Sequence, residues 1–250
     1  MVKAYAYSPS RLATYQGCPR QYYYRYVIKA PSKRHAAQSV GISLHGALEA
    51  VQQAGGVVET GVEGAIALLA SRWESDGFAD KREEEAARVQ AEAMLAAYLA
   101  RHGVGEGTPI MIEKKLTGRY ADVPLLGIVD RVDRLPDGTL ELIDYKSGRA
   151  AAHEPAVQQQ LAIYRFLIKE QLGEYPARVA IHHLAANTRV AVDLAPGDWS
   201  GLLERAAQSA QSIERDEDFD PRIGSWCQRC DYNRRCIPFQ RAQIESADQV

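Results

Sequence analysis

No stretch of this 250-residue chain approaches the roughly 18 consecutive apolar residues that a membrane-spanning helix requires. Its opening, MVKAYAYSPS, lacks the basic-then-apolar pattern of a secretory leader, so a cytoplasmic setting is expected. An excess of positive charge is missing too. The formal net charge of -2 argues against a protein that coats nucleic acid by bulk electrostatics, so any such contact must be local. There is no internal repeat, no low-complexity tract and no G-x-x-x-x-G-K-[ST] phosphate loop, which speaks against an ATP-driven motor on this chain. Cysteine is scarce, with four residues. In a reducing compartment two disulfides are a poor account of them, and a metal or redox role gains weight.

What is present suits one compact domain: 46% of the residues are hydrophobic, enough for a core without staples. Ser8-Pro9-Ser10 reads as a helix start before a helix from Arg11 to about Val27. Further helices are expected over Ser39 to Gln53, Gly64 to Glu74 and Lys81 to His102. From Pro109 the pattern changes to strands at Ile110 to Leu116, Leu125 to Leu135 and Thr139 to Lys146. Pro155 then opens a helix to about Leu172, strands follow at Arg178 to His183 and Arg189 to Val192, and Pro196 opens another helix.

The hairpin around Pro136-Asp137-Gly138 carries the most chemistry. If those three residues form the loop, Leu135 faces Thr139 and Asp130 falls opposite Asp144; a two-residue Asp137-Gly138 turn would slip this register. Side chains alternate along a strand, so Asp130 shares a face with Ile128 and Val132, and Asp144 with Leu140, Leu142 and Lys146. That face reads as core, whereas Arg131, Asp133, Thr139 and Glu141 mark a solvent side. Two inward carboxylates at close range are costly unless a cation sits between them, and Lys146 or a divalent metal could supply it.

Together LLGIVDRVDR, ELIDYKSG and QQLAIY resemble the core motifs of RecB-like PD-(D/E)XK nucleases, a likeness that covers nearly the whole chain. It implies an α/β fold, a mixed central sheet flanked by helices, with an N-terminal helical region and a cysteine-ligated C-terminal segment. In that reading 1–250 is one domain: a mainly helical region over 1–108, a nuclease core over 109–215, and a cluster-binding segment over 216–250 that acts with Cys18. The resemblance places Asp130 and Asp144 on the family's two metal-binding acids and Lys146 on its lysine. It also places His45 of GISLHGALEA on the upstream histidine and the backbone carbonyl of Tyr145 among the ligands. Gln160 and Tyr164 fit the helix motif Q-x-x-x-Y, on one helix face, although Tyr164 could equally pack the core. Hard oxygen ligands suit Mg2+ or Mn2+, with the imidazole shifting the preference toward Mn2+. Glu113 of IMIEKKL is either an extra acid near the metal or an exposed strand charge, and it stays outside the expected catalytic set.

Cys227, Cys230 and Cys236 form C-x2-C-x5-C, and Cys18 lies far upstream. This spacing fits tetrahedral zinc and a [4Fe-4S] cluster alike. One early and three late cysteines resemble the iron-sulfur staple of RecB-like nucleases, including the B subunit of AddAB and the CRISPR-adaptation exonucleases, and that resemblance favours iron-sulfur. Near this staple Arg11, Arg20, Arg25, Lys29, Lys33 and Arg34 interleave with Tyr15 and Tyr22 to Tyr24; these could grip a single strand, or the tyrosines could pack the core.

The expected activity is hydrolysis of phosphodiesters in single-stranded or end-containing DNA, as an exonuclease in repair, recombination or defence. DNA is the expected partner, with a separate helicase or CRISPR or repair proteins beside it, and no membrane. Two other classes compete. A non-catalytic DNA-binding iron-sulfur subunit of a helicase-nuclease complex would not need acid, acid and lysine together, and a small-molecule iron-sulfur enzyme would leave an open iron with three ligands.

Overall fold

The structure, a computed structural model, describes residues 6–103, 106–148, 152 and 154–247, with side chains described as far as 243. The outermost ends of the flanking regions, 1–5 and 248–250, lie outside the described residues.

Ser8 caps the first helix, α1 (Pro9–Gly17), its side chain accepting from the Arg11 N–H, with Pro9 in the first turn. The single helix expected to Val27 is broken. Cys18 is extended (φ -159°, ψ 114°) because it precedes Pro19, whose ring clashes with a helical preceding residue. A short α2 (Pro19–Tyr22) and a wide π turn (Tyr23–Val27) follow. The break puts the Cys18 thiol at a corner instead of along a helix face.

Next come α3 (Ala36–Gln53), α4 (Val57–Ser71) and α5 (Lys81–His102). Helix α4 starts earlier than its sequence pattern suggests, across a left-handed kink at Gly61 (φ 63°). Helix α5 has the expected bounds: Asp80 accepts from the Glu83 N–H, Glu83 and Glu84 sit in the first turn, and Arg101 and His102 in the last, each charge on its favourable end of the dipole.

The five-stranded mixed sheet has the order β1 (Thr108–Tyr120), β2 (Val123–Arg134), β3 (Leu140–Lys146), β4 (Arg178–His183), β5 (Thr188–Ala191). All pairs are antiparallel except β3 with β4, which α6 (Pro155–Leu172) connects. Helices α7 (Pro196–Arg215) and α8 (Ile237–Ala247) complete the chain. The fold is α/β, helices on both faces of a mixed sheet. On one face α6, α7 and Leu12 of α1 bury Leu125, Val132, Leu142 and Ile181; on the other α3, α4 and α5 bury Ile143, Tyr145 and Leu184. No helix among the described residues is long and apolar enough to cross a membrane.

The three-residue loop sets the hairpin register: Leu135 N–H donates to the Thr139 carbonyl (2.9 Å), Gly138 takes φ 84°, and Arg134 pairs with Leu140. Two expectations about its faces fail. Arg131, Asp133 and Glu141 are buried, not solvent-facing, because α5 and β5 cover that side. Ile128 is 48% exposed, not core. Along β2 the α6 side is occupied by Leu125, Gly127 and Val129 and then by Val132. The alternation therefore changes phase between Val129 and Asp130. Beside that change Glu113 of β1 takes a left-handed φ of 43°, an irregularity of the kind that re-aims side chains.

Candidate active site and cysteine pocket

Arg131 pairs with Ile143, so the next step of the β2–β3 register sets Asp130 opposite Asp144. On the other side Ile112 pairs with Arg131 and Lys114 with Val129, which sets Glu113 beside Asp130. Three adjacent strands thus each contribute one acid to a row across the sheet.

His45, from α3, closes over this row. Its Nδ1 is 3.1 Å from Glu113 Oε1 and 3.4 Å from Asp130 Oδ1, and its Nε2 is 3.2 Å from the Tyr145 carbonyl oxygen. Both ring nitrogens face acceptors, an arrangement that favours the imidazolium. Burial opposes this charge, but Asp130 and Glu113 outweigh it and raise the His45 pKa to about 10. Asp130 is fixed in turn by the Tyr145 N–H, which donates to Oδ2 at 2.7 Å.

Asp144 is 0% exposed. Lys146 Nζ forms an ion pair with its Oδ2 at 2.8 Å, yet neither carboxylate oxygen has a partner in hydrogen-bonding geometry. Burial, reinforced by Asp130 and opposed by Lys146, pushes its pKa up to about 6. A buried carboxylate short of donors among other carboxylates is a site that favours a cation.

Lys146 also donates to Gln160 Oε1 (2.9 Å), and Gln160 Nε2 donates to the Tyr164 hydroxyl (2.9 Å). Tyr164 serves both alternatives left open by the sequence: its ring is 7% exposed in the core, and its hydroxyl ends this relay. The ring lies on Gly127, where a Cβ would come within 2.8 Å of it, so glycine is required for this approach.

Among the described residues, the one group of three or more histidine, cysteine or acidic side chains with ligand atoms mutually within 4.8 Å is His45, Glu113 and Asp130. Asp144 lies beside this group and outside it. Sequence reasoning left Glu113 out of the set. The missed signal is the β1–β2 turn: Ala121 and Asp122 (φ 46° and 65°) form a two-residue primed turn between Tyr120 and Val123. That loop length alone sets Glu113 beside Asp130.

The four cysteines, all free, line one pocket together with Arg20, Tyr24 and Tyr232. Burial raises the Cys230 thiol pKa, helped by Cys18 and Cys227 nearby. Most tyrosines of the first segment prove to be packing residues. Tyr22 is buried against Tyr15, Tyr26 and Phe219, the Tyr15 hydroxyl donates to Asp216 Oδ2 (2.7 Å), and Tyr24 packs on Tyr232.

The acid row lies on the mixed sheet with Lys146 two residues beyond Asp144. The chain belongs to the PD-(D/E)XK nuclease superfamily, whose family model matches residues 6–237. A candidate exonuclease from Eubacterium rectale shares the fold: TM-score 0.55 at 13% identity, over 91% of this chain and 88% of that one. A second solved structure, SSO0001, aligns with a TM-score of 0.47 at 14% identity, over 95% of this chain and 88% of that one. No curated protein matches.

Proposed function

We propose that this chain is a divalent-metal-dependent deoxyribonuclease of RecB-like type. It hydrolyses phosphodiesters as an exonuclease on single-stranded or end-containing DNA, in repair, recombination or defence. The observation that carries the reading is the wholly buried Asp144 carboxylate beside Asp130, with the Lys146 ammonium 2.8 Å from its Oδ2.

His45, Asp130, Asp144 and the Tyr145 carbonyl would hold Mg2+ or Mn2+, with Glu113 as a further oxygen donor. When bound, the metal lowers the pKa of a coordinated water and stabilises charge on the phosphate. As a ligand His45 would have to be neutral, since only an unprotonated ring nitrogen has a lone pair. Lys146, steered by Gln160, orients the attacking water or a phosphate oxygen, and Tyr164 fixes the Gln160 amide.

The four cysteines we assign to a structural [4Fe-4S] cluster. All four line one pocket, which supports a shared metal group, and the resemblance of their chain spacing to the RecB-like staple favours iron-sulfur over zinc. Such a cluster ties α1 and α2 to the C-terminal segment, where Tyr232 donates to the Ala30 carbonyl (3.4 Å) and His35 Nε2 is 2.7 Å from Asp231.

Protein purified without oxygen and assayed on labelled single- and double-stranded DNA with Mg2+, Mn2+ or EDTA tests the reading. Cleavage with either metal and none in EDTA is expected, with about four irons per chain by metal analysis. Binding of DNA with no cleavage under any metal would overturn the enzyme assignment. Stoichiometric zinc without iron would overturn the cluster and leave the hairpin site standing.

A further inference from the structure

Charge is segregated along this chain. Residues 6–48 contain six lysines and arginines and no acid, and residues 221–243 contain five arginines against Asp231 alone. These stretches, a net +10 in a chain whose net charge is -2, supply the lobe around the four cysteines, although the acid-rich run 214–220 packs on the first of them through Tyr15–Asp216 and Tyr22–Phe219, and Arg34 pairs with Glu74. The basic excess of this lobe is therefore local and carried by its exposed residues. Arg25, Lys29, Lys33, Arg229, Arg234 and Arg235 are all exposed there.

The same lobe exposes apolar side chains. Trp226 is 58% exposed, its indole N–H donating to the Arg222 carbonyl (3.2 Å), and Val27, Ile28, Ile223 and Ile237 are exposed with it. A purely electrostatic phosphate grip has no use for them. A lobe that carries exposed cations and an exposed indole suits a nucleic acid whose bases are unpaired, because an unpaired base offers its π face while the backbone offers phosphates. A duplex hides those faces in its stack.

The lobe adjoins the acid row. Gln16 of α1 donates to Gln159 of α6 (2.9 Å), the neighbour of Gln160, and His35, at the start of the helix that carries His45, meets Asp231. We propose that the cysteine lobe is a binding surface for a single DNA strand outside the metal site, with Trp226 stacking on a base and the exposed arginines on phosphates. This rests on the nuclease reading and deepens it by naming the form of DNA and the residues that hold it.

The test is fluorescence anisotropy of a labelled oligothymidylate and of a duplex of equal length, without divalent metal and over a range of salt. Without metal the readout is independent of cleavage. Trp226→Ala should weaken single-strand binding about tenfold and duplex binding much less, with Trp226→Phe retaining most of the affinity. Arg229→Glu with Arg234→Glu should flatten the salt dependence by about one phosphate contact each. Melting curves establish that each variant is folded, and Mn2+-induced stabilisation reports the metal site separately. Unchanged single-strand affinity and salt dependence in these folded variants would overturn the proposal, even if cleavage is observed. Equal loss on duplex would likewise sink the stacking role, and Trp226→Ala abolishing self-association without affecting DNA would assign the face to a second copy. Absence of cleavage with the expected binding losses would count against the nuclease reading alone.

Discussion

Two clusters of buried charge lie on one hairpin, a few residues apart, and they are built on opposite plans. On the α5 side Arg131 makes a two-pronged pair with Asp133 (2.6 and 2.7 Å), and Glu141, directly across the register, pairs with Arg189. Two cations meet two anions and every charge has a partner. On the other plan three acids, Glu113, Asp130 and Asp144, face two cationic side chains, His45 and Lys146. A closed set has nothing left to bind; an open one retains an anionic excess that a dication would neutralise. Burial and carboxylate count do not tell a structural cluster from a site, whereas charge balance and hydrogen-bond satisfaction do.

The largest expected difference is in chemistry. Asp130→Ala or Asp144→Ala should lower metal-dependent cleavage by roughly a thousandfold or more, since on the proposed function each would remove a ligand from an ion worth several kcal/mol to the transition state. Asp133→Ala should leave the residual folded protein active. Gel assays on folded samples decide, and wild-type rates in either site variant would dismiss the acid row as catalytic.

Stability in EDTA should move in opposite directions. Asp133→Asn leaves Arg131 buried and unpaired and should cost about 3 kcal/mol. Asp144→Asn removes a poorly solvated anion beside another anion and should stabilise the metal-free fold by about 1–2 kcal/mol at neutral pH. Denaturant melts measure both, and a loss of stability in both variants would erase the distinction.

The two clusters also differ in the sign of their pH dependence. Burial, with His102 close by, depresses His182 to about 4, so its stabilising effect is complete above pH 6.5 and is lost as pH falls toward 4. His45, raised to about 10, contributes stability below pH 6.5 that is lost as pH rises toward 10 in metal-free protein. Comparing melts of wild type with His182→Asn on the acid side, and with His45→Gln on the alkaline side, isolates each contribution. Parallel curves for wild type and variant would remove that histidine's role.

The smallest effect belongs to the relay. Tyr164→Phe should reduce the cleavage rate about three- to tenfold, the worth of one buried hydrogen bond, with Gln160→Ala at the upper end and iron content unchanged in both. Full rates in both would leave Tyr164 as a core residue only.

Much of this arrangement is legible in the sequence because local rules govern it. Pro136-Asp137-Gly138 fixes its own loop and hence the Asp130–Asp144 register, and Asp80 and the dipole-matched charges bound α5. Glu113 escapes such a reading because its position depends on Ala121-Asp122, a pair that adopts the primed turn without the glycine that usually signals it. Arg131 and Asp133 are misplaced by it because alternation reports which residues share a face and not whether a helix later covers it. Trp226 is unremarkable as a lone aromatic; only its exposure beside the basic segments gives it meaning.

One consequence concerns the order in which the chain is made. The first helical segment has few neighbours in its own stretch of the sequence. Tyr7 bridges to Leu125, Gln16 bonds Gln159 and Ser209, Tyr22 stacks on Phe219, and Tyr24 meets Tyr232. During synthesis this segment emerges long before Phe219 and Tyr232, its partners some two hundred residues downstream, a separation that slows closure. A chain halted before Phe219 would hold the complete acid row and the partners of Tyr7 and Gln16, and would still lack Phe219 and Tyr232, the downstream aromatic partners of Tyr22 and Tyr24.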